Sequence, residues 1–224
     1  MATIVLDLDG TLIDTAPDLL ATVNDTLATD GREPIVRSDL DHLVGKGGRS
    51  MLLRAFAMRG RDLGESDLDA MMPTFLERYE AHIPGDSVPY ARVVETLDRL
   101  LASGHVLAVC TNKFEGLARK LLEALGLAER FTAITGPDTF DVRKPDPAHL
   151  TLTVKAAGGS PANAVMVGDS VNDIEAARAA GIPSIGVPYG YTDIAMADLR
   201  PDALVETFDE IDDALIARLL ERGR

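Results

Sequence analysis

Ile4-Val5-Leu6-Asp7-Leu8-Asp9-Gly10-Thr11-Leu12 decides how this chain is read. The apolar, β-branched start has the character of a buried strand. It carries two carboxylates, two residues apart, to a Gly-Thr turn. Carboxylates this close repel each other, and burial sharpens the repulsion. A bridging cation would relieve it. One acid could then serve as a nucleophile and the other as proton donor and acceptor. A plain strand ending in an Asp-Gly turn needs only one Asp, and leaves Asp7 interrupting the apolar run for no structural reason.

Outward from this segment, short apolar stretches alternate with helical patterns. Strands are expected at 3–8, 105–110, 132–135, 164–167 and 183–187, with a weaker one at 203–205. Between them, Val93, Leu97, Leu100 and Leu101 mark one amphipathic helix, and Leu117, Leu121, Leu122 and Leu125 another. Strand–helix alternation implies an α/β fold, a parallel sheet with helices on both faces. Ligands of such sheets bind beyond the carboxyl ends of the strands.

Residues 15–83 break the alternation and read as helix after helix. Thr15 with Asp18 has capping-box spacing, and Pro17 suits a first turn. Ser66 is a candidate cap for a helix whose stripe holds Leu68, Met71, Met72, Phe75, Leu76 and Tyr79; that stripe is expected to be core. Ile83-Pro84-Gly85 and Ser87-Val88-Pro89 punctuate the return. The expected division is a catalytic core of 1–14 and 84–224, with a helical cap at 15–83.

The chain has 224 residues, 46% hydrophobic and 26% charged, and 22 basic against 36 acidic residues give a net charge of −14. That balance disfavours nucleic acid and anionic membranes as partners. It leaves room for an anionic metabolite, because a metal and a few cations can reverse the field in one cleft. The single cysteine, Cys110, permits no intrachain disulfide and is expected to be a buried small hydrophobe. No signal peptide or membrane span is read, so a cytoplasmic monomer or homodimer is expected. His42, His82, His105 and His149 show no ligand spacing.

Three further strand ends carry chemistry. Thr111 closes Val106-Leu107-Ala108-Val109-Cys110, where its hydroxyl, with Asn112, could donate to a phosphoryl oxygen. Lys144 precedes Pro145 in Arg143-Lys144-Pro145-Asp146-Pro147, a rigid setting for a point charge; Arg143 is the less favoured of the pair. Val165-Met166-Val167-Gly168-Asp169-Ser170-Val171-Asn172-Asp173 is a strand, a Gly turn and an acidic helix start. There Asp169 suits a hard cation, and Asp173 lies one helical turn on. In the expected cap, Gly45-Lys46-Gly47-Gly48-Arg49 offers mobile backbone and two cations, Lys46 and Arg49, that could clamp a remote carboxylate.

The Asp7-Leu8-Asp9-Gly10-Thr11 segment resembles the first motif of the haloacid dehalogenase-like (HAD) phosphohydrolase superfamily. Thr111, Lys144 and the Gly168-Asp169-Ser170…Asp173 pattern resemble the other three, in order. The resemblance implies a Rossmann-like sheet with an inserted helical cap and a phosphatase working through an aspartyl-phosphate. It makes Asp7 the nucleophile and Asp9 the acid/base. Mg²⁺ would be held by Asp7, the Asp9 carbonyl and Asp169, and phosphate oxygens by Thr111, Lys144 and amides near Gly10. Asp173 would orient Lys144 or a metal water. The acid at position 9 separates the chain from dehalogenases and phosphonate-cleaving members. Asp9-Gly10-Thr11-Leu12-Ile13-Asp14-Thr15, Gly136-Pro137-Asp138-Thr139 and Gly186-Val187-Pro188-Tyr189-Gly190-Tyr191 resemble the phosphoglycolate phosphatase-like subfamily, which implies 2-phosphoglycolate as substrate. Another small phosphate (a sugar phosphate, pyrophosphate or a nucleotide), or a β-phosphoglucomutase-like reaction, remains the alternative, although Thr11 leans away from the mutases. A phospho-acceptor signalling domain would share the acids, Thr and Lys, but places its acceptor on a middle strand and has no cap.

Overall fold

The computed structural model describes residues 1–43 and 47–222. Its strands are β1 (Thr3–Leu6), β2 (Ile13–Asp14), β3 (Val88–Pro89), β4 (Val106–Cys110), β5 (Ala133–Thr135), β6 (Ala164–Gly168), β7 (Ser184–Gly186) and β8 (Ala203–Leu204). Its α-helices are α1 (Ala16–Thr29), α2 (Gly48–Met58), α3 (Glu65–His82), α4 (Val93–Ala102), α5 (Glu115–Ala124), α6 (Pro137–Phe140), α7 (Pro147–Ala156), α8 (Val171–Ala180), α9 (Met196–Leu199) and α10 (Asp213–Arg222).

Six strands form one parallel sheet in the order β5-β4-β1-β6-β7-β8. The first strand is central because it is apolar on both faces, as a parallel strand between helical layers must be. Successive side chains point to opposite faces. Ile4 and Leu6 therefore join Val93, Leu97 and Leu121 of α4 and α5 and Ile216 of α10. Val5 joins Leu150 and Val154 of α7 and Ala177 of α8 on the other side. The expected architecture, a Rossmann-like parallel sheet with helices on both faces and an inserted helical cap, is the one observed.

The chain leaves β1 for β4 and β5 on one side, then crosses back to β6 on the other. A crevice opens beyond the carboxyl ends of strands where the order reverses in this way. Register sets Leu6 level with Val109 and Val167, so Asp7, Thr111 and Asp169 emerge at the same end of the sheet.

β1 ends two residues earlier than the apolar run suggests. The Leu8 carbonyl accepts from Leu12 N and Ile13 N, each at 3.0 Å, and the chain curls into a tight loop. Asp9 thus sits in that loop. The pairing of Ile13–Asp14 with Val88–Pro89 was not expected from the sequence. It fastens together the points where the chain enters and leaves the helical block.

In that block, α1, α2 and α3 surround their own apolar cluster, with Val23, Leu27, Leu52, Phe56 and Leu68 fully or almost fully buried. Both expected caps are corrected. Thr15 and Asp18 form no capping box, because the Thr15 hydroxyl goes to Asp9 (2.8 Å) and Ala16 N is met by Asp14 Oδ1 (3.2 Å) and Tyr191 Oη (2.9 Å). Asp18 is instead buried under the return segment. It accepts from Asp86 N and Ser87 N, each at 3.0 Å, and from the Ser87 hydroxyl. Gly85, at φ +54, is required there, since a Cβ would approach Asp18 Oδ1 to 2.2 Å. Ser66 is not the cap of α3 either. The helix begins at Glu65 after Gly64, whose N–H donates to Asp67 (3.2 Å).

Candidate active site

The Asp7 amide donates to Val167 O at 2.9 Å, extending the ladder by one residue and fixing where its carboxylate points. That carboxylate meets Asp169 from the end of β6 and Asp173 from the first turn of α8. One ligand oxygen from each lies within 4.8 Å of the others, and all three residues are buried. Lys144 enters the cluster from the loop before α7. Its Nζ stands 2.8 Å from Asp7 Oδ1 and 2.6 Å from Asp173 Oδ1. The remaining Asp173 oxygen accepts from the Ser170 N–H (3.0 Å) and hydroxyl (2.7 Å). Asp173 thus anchors Lys144 and closes the start of its own helix.

Asp169 is held from two sides. Thr11 Oγ1 donates to one oxygen at 2.7 Å and the Tyr191 N–H to the other at 2.8 Å. Close approach makes this possible: Cβ atoms at Gly10 or Gly190 would come to 2.3 Å from Asp169. Gly10 also has φ +88, and its amide already donates to Ile13 O at 3.0 Å. The position needs its missing side chain, and its amide is paired with Ile13 O.

Three buried carboxylates around one ammonium leave negative charge in excess. Burial is the largest influence on Asp7. It lifts the carboxyl to about 7 with help from Asp173, while Lys144 opposes it. Asp169 is raised well above the usual range by burial, then by Asp7 and Asp173. Burial works against the charge of Lys144, yet Asp173 and Asp7 hold its ammonium above the ordinary lysine range. Beyond the Lys144 ammonium at 2.8 Å, Asp7 Oδ1 accepts no hydrogen bond from any described residue. Hard oxygen donors and negative charge in excess of one ammonium together suit a divalent cation.

Asp9 lies apart from this cluster. Its carboxylate pairs with Lys113 Nζ at 2.9 Å and accepts from the Thr15 hydroxyl at 2.8 Å. Two residues of separation have therefore sent the two acids into different surroundings. Both line one cavity of about 170 Å³. Its walls include Thr111, Asn112 and Lys113 after β4, Arg143 before Lys144, and Gly47, Arg49, Met72, Phe75, Leu76 and Tyr79 from the helical block. The Met and aromatic stripe of α3, expected to be core, is both core and cavity wall, because one edge of it faces the sheet's open end.

Thr111 is buried, and its Oγ1 accepts from Lys113 N at 3.2 Å. The Asn112 side-chain amide donates to Lys144 O at 3.0 Å, bracing the two loops together. Arg49 reaches the cavity wall, but its guanidinium is tied to Glu65 (2.5 Å) and Asp69 (2.7 Å). Lys46 lies outside the described residues. Cys110 is buried, with its thiol pushed up to about 12 by burial, as fits a packing residue. His149 is buried and its imidazole is lowered to about 4, by burial and then by Lys144.

Sequence reasoning passed over Lys113 and Tyr191. Lys113 follows Thr111-Asn112 directly, but a lysine in a turn reads as solvated. Tyr191 stood in a quoted motif with no role. Here its N–H holds Asp169, and its hydroxyl donates to Asp14 at 2.5 Å.

Residues 4–187 match the family model described as haloacid dehalogenase-like hydrolase. The chain belongs to that family. It is 50% identical over 219 residues to a phosphoglycolate phosphatase of Agrobacterium fabrum, covering 98% of this chain and 94% of that one. It is 47% identical over 217 residues to the phosphoglycolate phosphatase of Mesorhizobium japonicum, covering 97% and 96%. A crystal structure from Haemophilus somnus, of a predicted phosphoglycolate phosphatase, superposes with a TM-score of 0.88 at 31% identity, covering 94% and 96%. Within the family this chain is thus phosphoglycolate phosphatase-like, an enzyme of the phosphatase class acting on small phosphorylated substrates. Among the described residues no helix is long and apolar enough to cross a membrane.

Proposed function

We propose that this enzyme hydrolyses 2-phosphoglycolate to glycolate and phosphate with Mg²⁺, through an aspartyl-phosphate on Asp7. The observation that carries the chemistry is the buried Asp7–Asp169–Asp173 cluster with Lys144, opening into the cavity that Asp9 shares. The substrate follows the two relatives named above, which match along nearly the whole chain.

Asp7, the Asp9 carbonyl and Asp169 would hold the cation, which neutralises phosphate charge and the mutual repulsion of the carboxylates. Asp7 attacks phosphorus in line, and the P–O bond to the glycolate oxygen breaks. Asp9 gives that oxygen its proton and later takes one from the water that cleaves the acyl-phosphate. Thr111 donates its hydroxyl hydrogen to an equatorial oxygen, and Lys144 supplies fixed positive charge where the transferring group develops negative charge. Asn112 keeps the Thr111 and Lys144 loops in register. Asp173 orients Lys144. Residues 15–83 act as the cap over a core of 1–14 and 84–224, with Arg49 on the cavity wall. Met72, Phe75 and Leu76 exclude water from the reacting centre.

Phosphate release with Mg²⁺ tests the reading, comparing 2-phosphoglycolate with sugar phosphates, nucleotides and pyrophosphate. It predicts that phosphoglycolate leads in kcat/KM by about 100-fold or more. A different leading substrate would leave the roles of Asp7 and Asp9 standing and overturn the substrate.

A further inference from the structure

Resting on that reading, we infer that Lys113 and Tyr79 form the subsite that takes the substrate's carboxylate. The bridging oxygen must lie within hydrogen-bond reach of Asp9, which protonates it. In phosphoglycolate the carboxylate carbon is two bonds, roughly 2.5 Å, farther on. The cation at that point is Lys113, whose Nζ is 2.9 Å from Asp9 Oδ2.

Lys113 is buried in the cavity wall, its side chain only 6% exposed, so its charge acts with little screening by water. An ammonium has three N–H donors, and Asp9 occupies one side of it. The ring of Tyr79, from α3, covers another, with its centroid 4.5 Å from Nζ. The Tyr79 hydroxyl is buried beside Lys113, itself only a donor, and no described residue accepts the hydroxyl's proton. A buried donor without an acceptor is costly and calls for an explanation. Burial holds this phenol above its usual range, so it remains an O–H donor. A carboxylate spanning Lys113 Nζ and Tyr79 Oη satisfies both groups. The rival cations on the same cavity are less suited. Arg49 is held by two acids and is partly exposed, and Arg143 is exposed at the rim.

The subsite can be read without turnover. 3-Phosphonopropionate replaces the bridging oxygen of phosphoglycolate by CH₂, and propylphosphonate is its counterpart without the carboxylate. Competitive Ki values for both are measured against a chromogenic phosphate ester. Wild type should bind the carboxylated compound at least about tenfold more tightly, the worth of a charge-assisted contact. Lys113→Met should bring the ratio of the two Ki values close to one, Lys113→Arg should restore part of it, and Tyr79→Phe should reduce it severalfold. A wild-type ratio near one overturns the carboxylated-substrate reading and the subsite together. A large wild-type ratio that survives both Lys113→Met and Tyr79→Phe overturns the subsite alone. If Lys113→Met does not fold, the milder Tyr79→Phe decides, and an unchanged ratio there refutes the assignment.

Discussion

Asp7→Asn should stabilise the metal-free protein at pH 8 while removing turnover. The carboxyl is lifted from 3.8 to about 7 in the fold, so folding favours its neutral form. The sign follows: wild type loses stability as pH rises from about 4 towards 7, and above 7 the loss is complete. The difference of 3.2 pH units (7 − 3.8), at about 1.4 kcal/mol per unit, is on the order of 4 kcal/mol at pH 8. An Asn of the same shape carries no charge and escapes it. At pH 5 only about one unit of the difference has developed, so the gap should shrink to less than half. Even half of the pH 8 value would raise Tm by about 4–8 °C in a chain this size. The assay is thermal unfolding of both proteins in EDTA at pH 5 and pH 8, repeated with Mg²⁺. Magnesium should raise the wild-type Tm more than the variant's, because the cation offsets the repulsion the variant has already lost. A variant no more stable than wild type in EDTA at pH 8, or a gap that ignores pH, would refute the view that Asp7 sits in uncompensated negative charge. Retained phosphate release by the variant would refute its role as nucleophile.

Asp9→Asn should cost about 10²–10⁴-fold in kcat on 2-phosphoglycolate, and much less in the first turnover of p-nitrophenyl phosphate, whose leaving group needs no proton; equal losses in single-turnover kinetics would count against Asp9 as the acid. Gly10→Ala forces a Cβ to within 2.3 Å of Asp169 Oδ2 at φ +88. It should cost roughly 1–3 kcal/mol of stability and weaken the Mg²⁺-dependent rise in Tm, whereas an unchanged response to Mg²⁺ would place Asp169 away from the metal. Arg49→Ala should raise KM for phosphoglycolate by less than Lys113→Met does, since its charge is already shared by Glu65 and Asp69; a larger effect in steady-state kinetics would return the carboxylate to the cap wall.

Most of the sheet was legible because parallel strands buried on both faces are written as continuous apolar runs, and helices between them show their stripes plainly. Val93, Leu97 and Leu100 are buried as their spacing indicates, whereas Leu101, at the edge of the stripe, is 37% exposed. What escaped the sequence was long-range exchange of polar partners. Thr15 looks like a helix cap, yet its hydroxyl is drawn to Asp9, six residues back. Asp18 looks like the other half of a box, yet it collects two amides from 68 and 69 residues away. Local propensity cannot anticipate a stronger distant partner. Lys113 was missed for a related reason: a turn lysine is solvated unless tertiary structure brings an acid and an aromatic ring to it.

On the proposed mechanism, the separation of Asp7 from Asp9 is what lets one short segment supply both the nucleophile and the acid/base. Had the strand continued through Leu8, the two side chains would share one face and one environment. The tight loop closed on the Leu8 carbonyl breaks that alternation. Asp7 stays with Asp169, Asp173 and Lys144 at the sheet end, where a cation is needed to keep it ionised. Asp9 turns towards Lys113 and Thr15, at the boundary with the helical block. Different neighbours are what allow two identical carboxyl groups to perform different proton and bond chemistry at one pH. Asp7 answers to the core alone, while Asp9 is held by a lysine that Tyr79 of α3 covers on another side. Substrate recognition and proton delivery therefore meet at Lys113, and that is where a change of substrate should be easiest to engineer without touching the nucleophile.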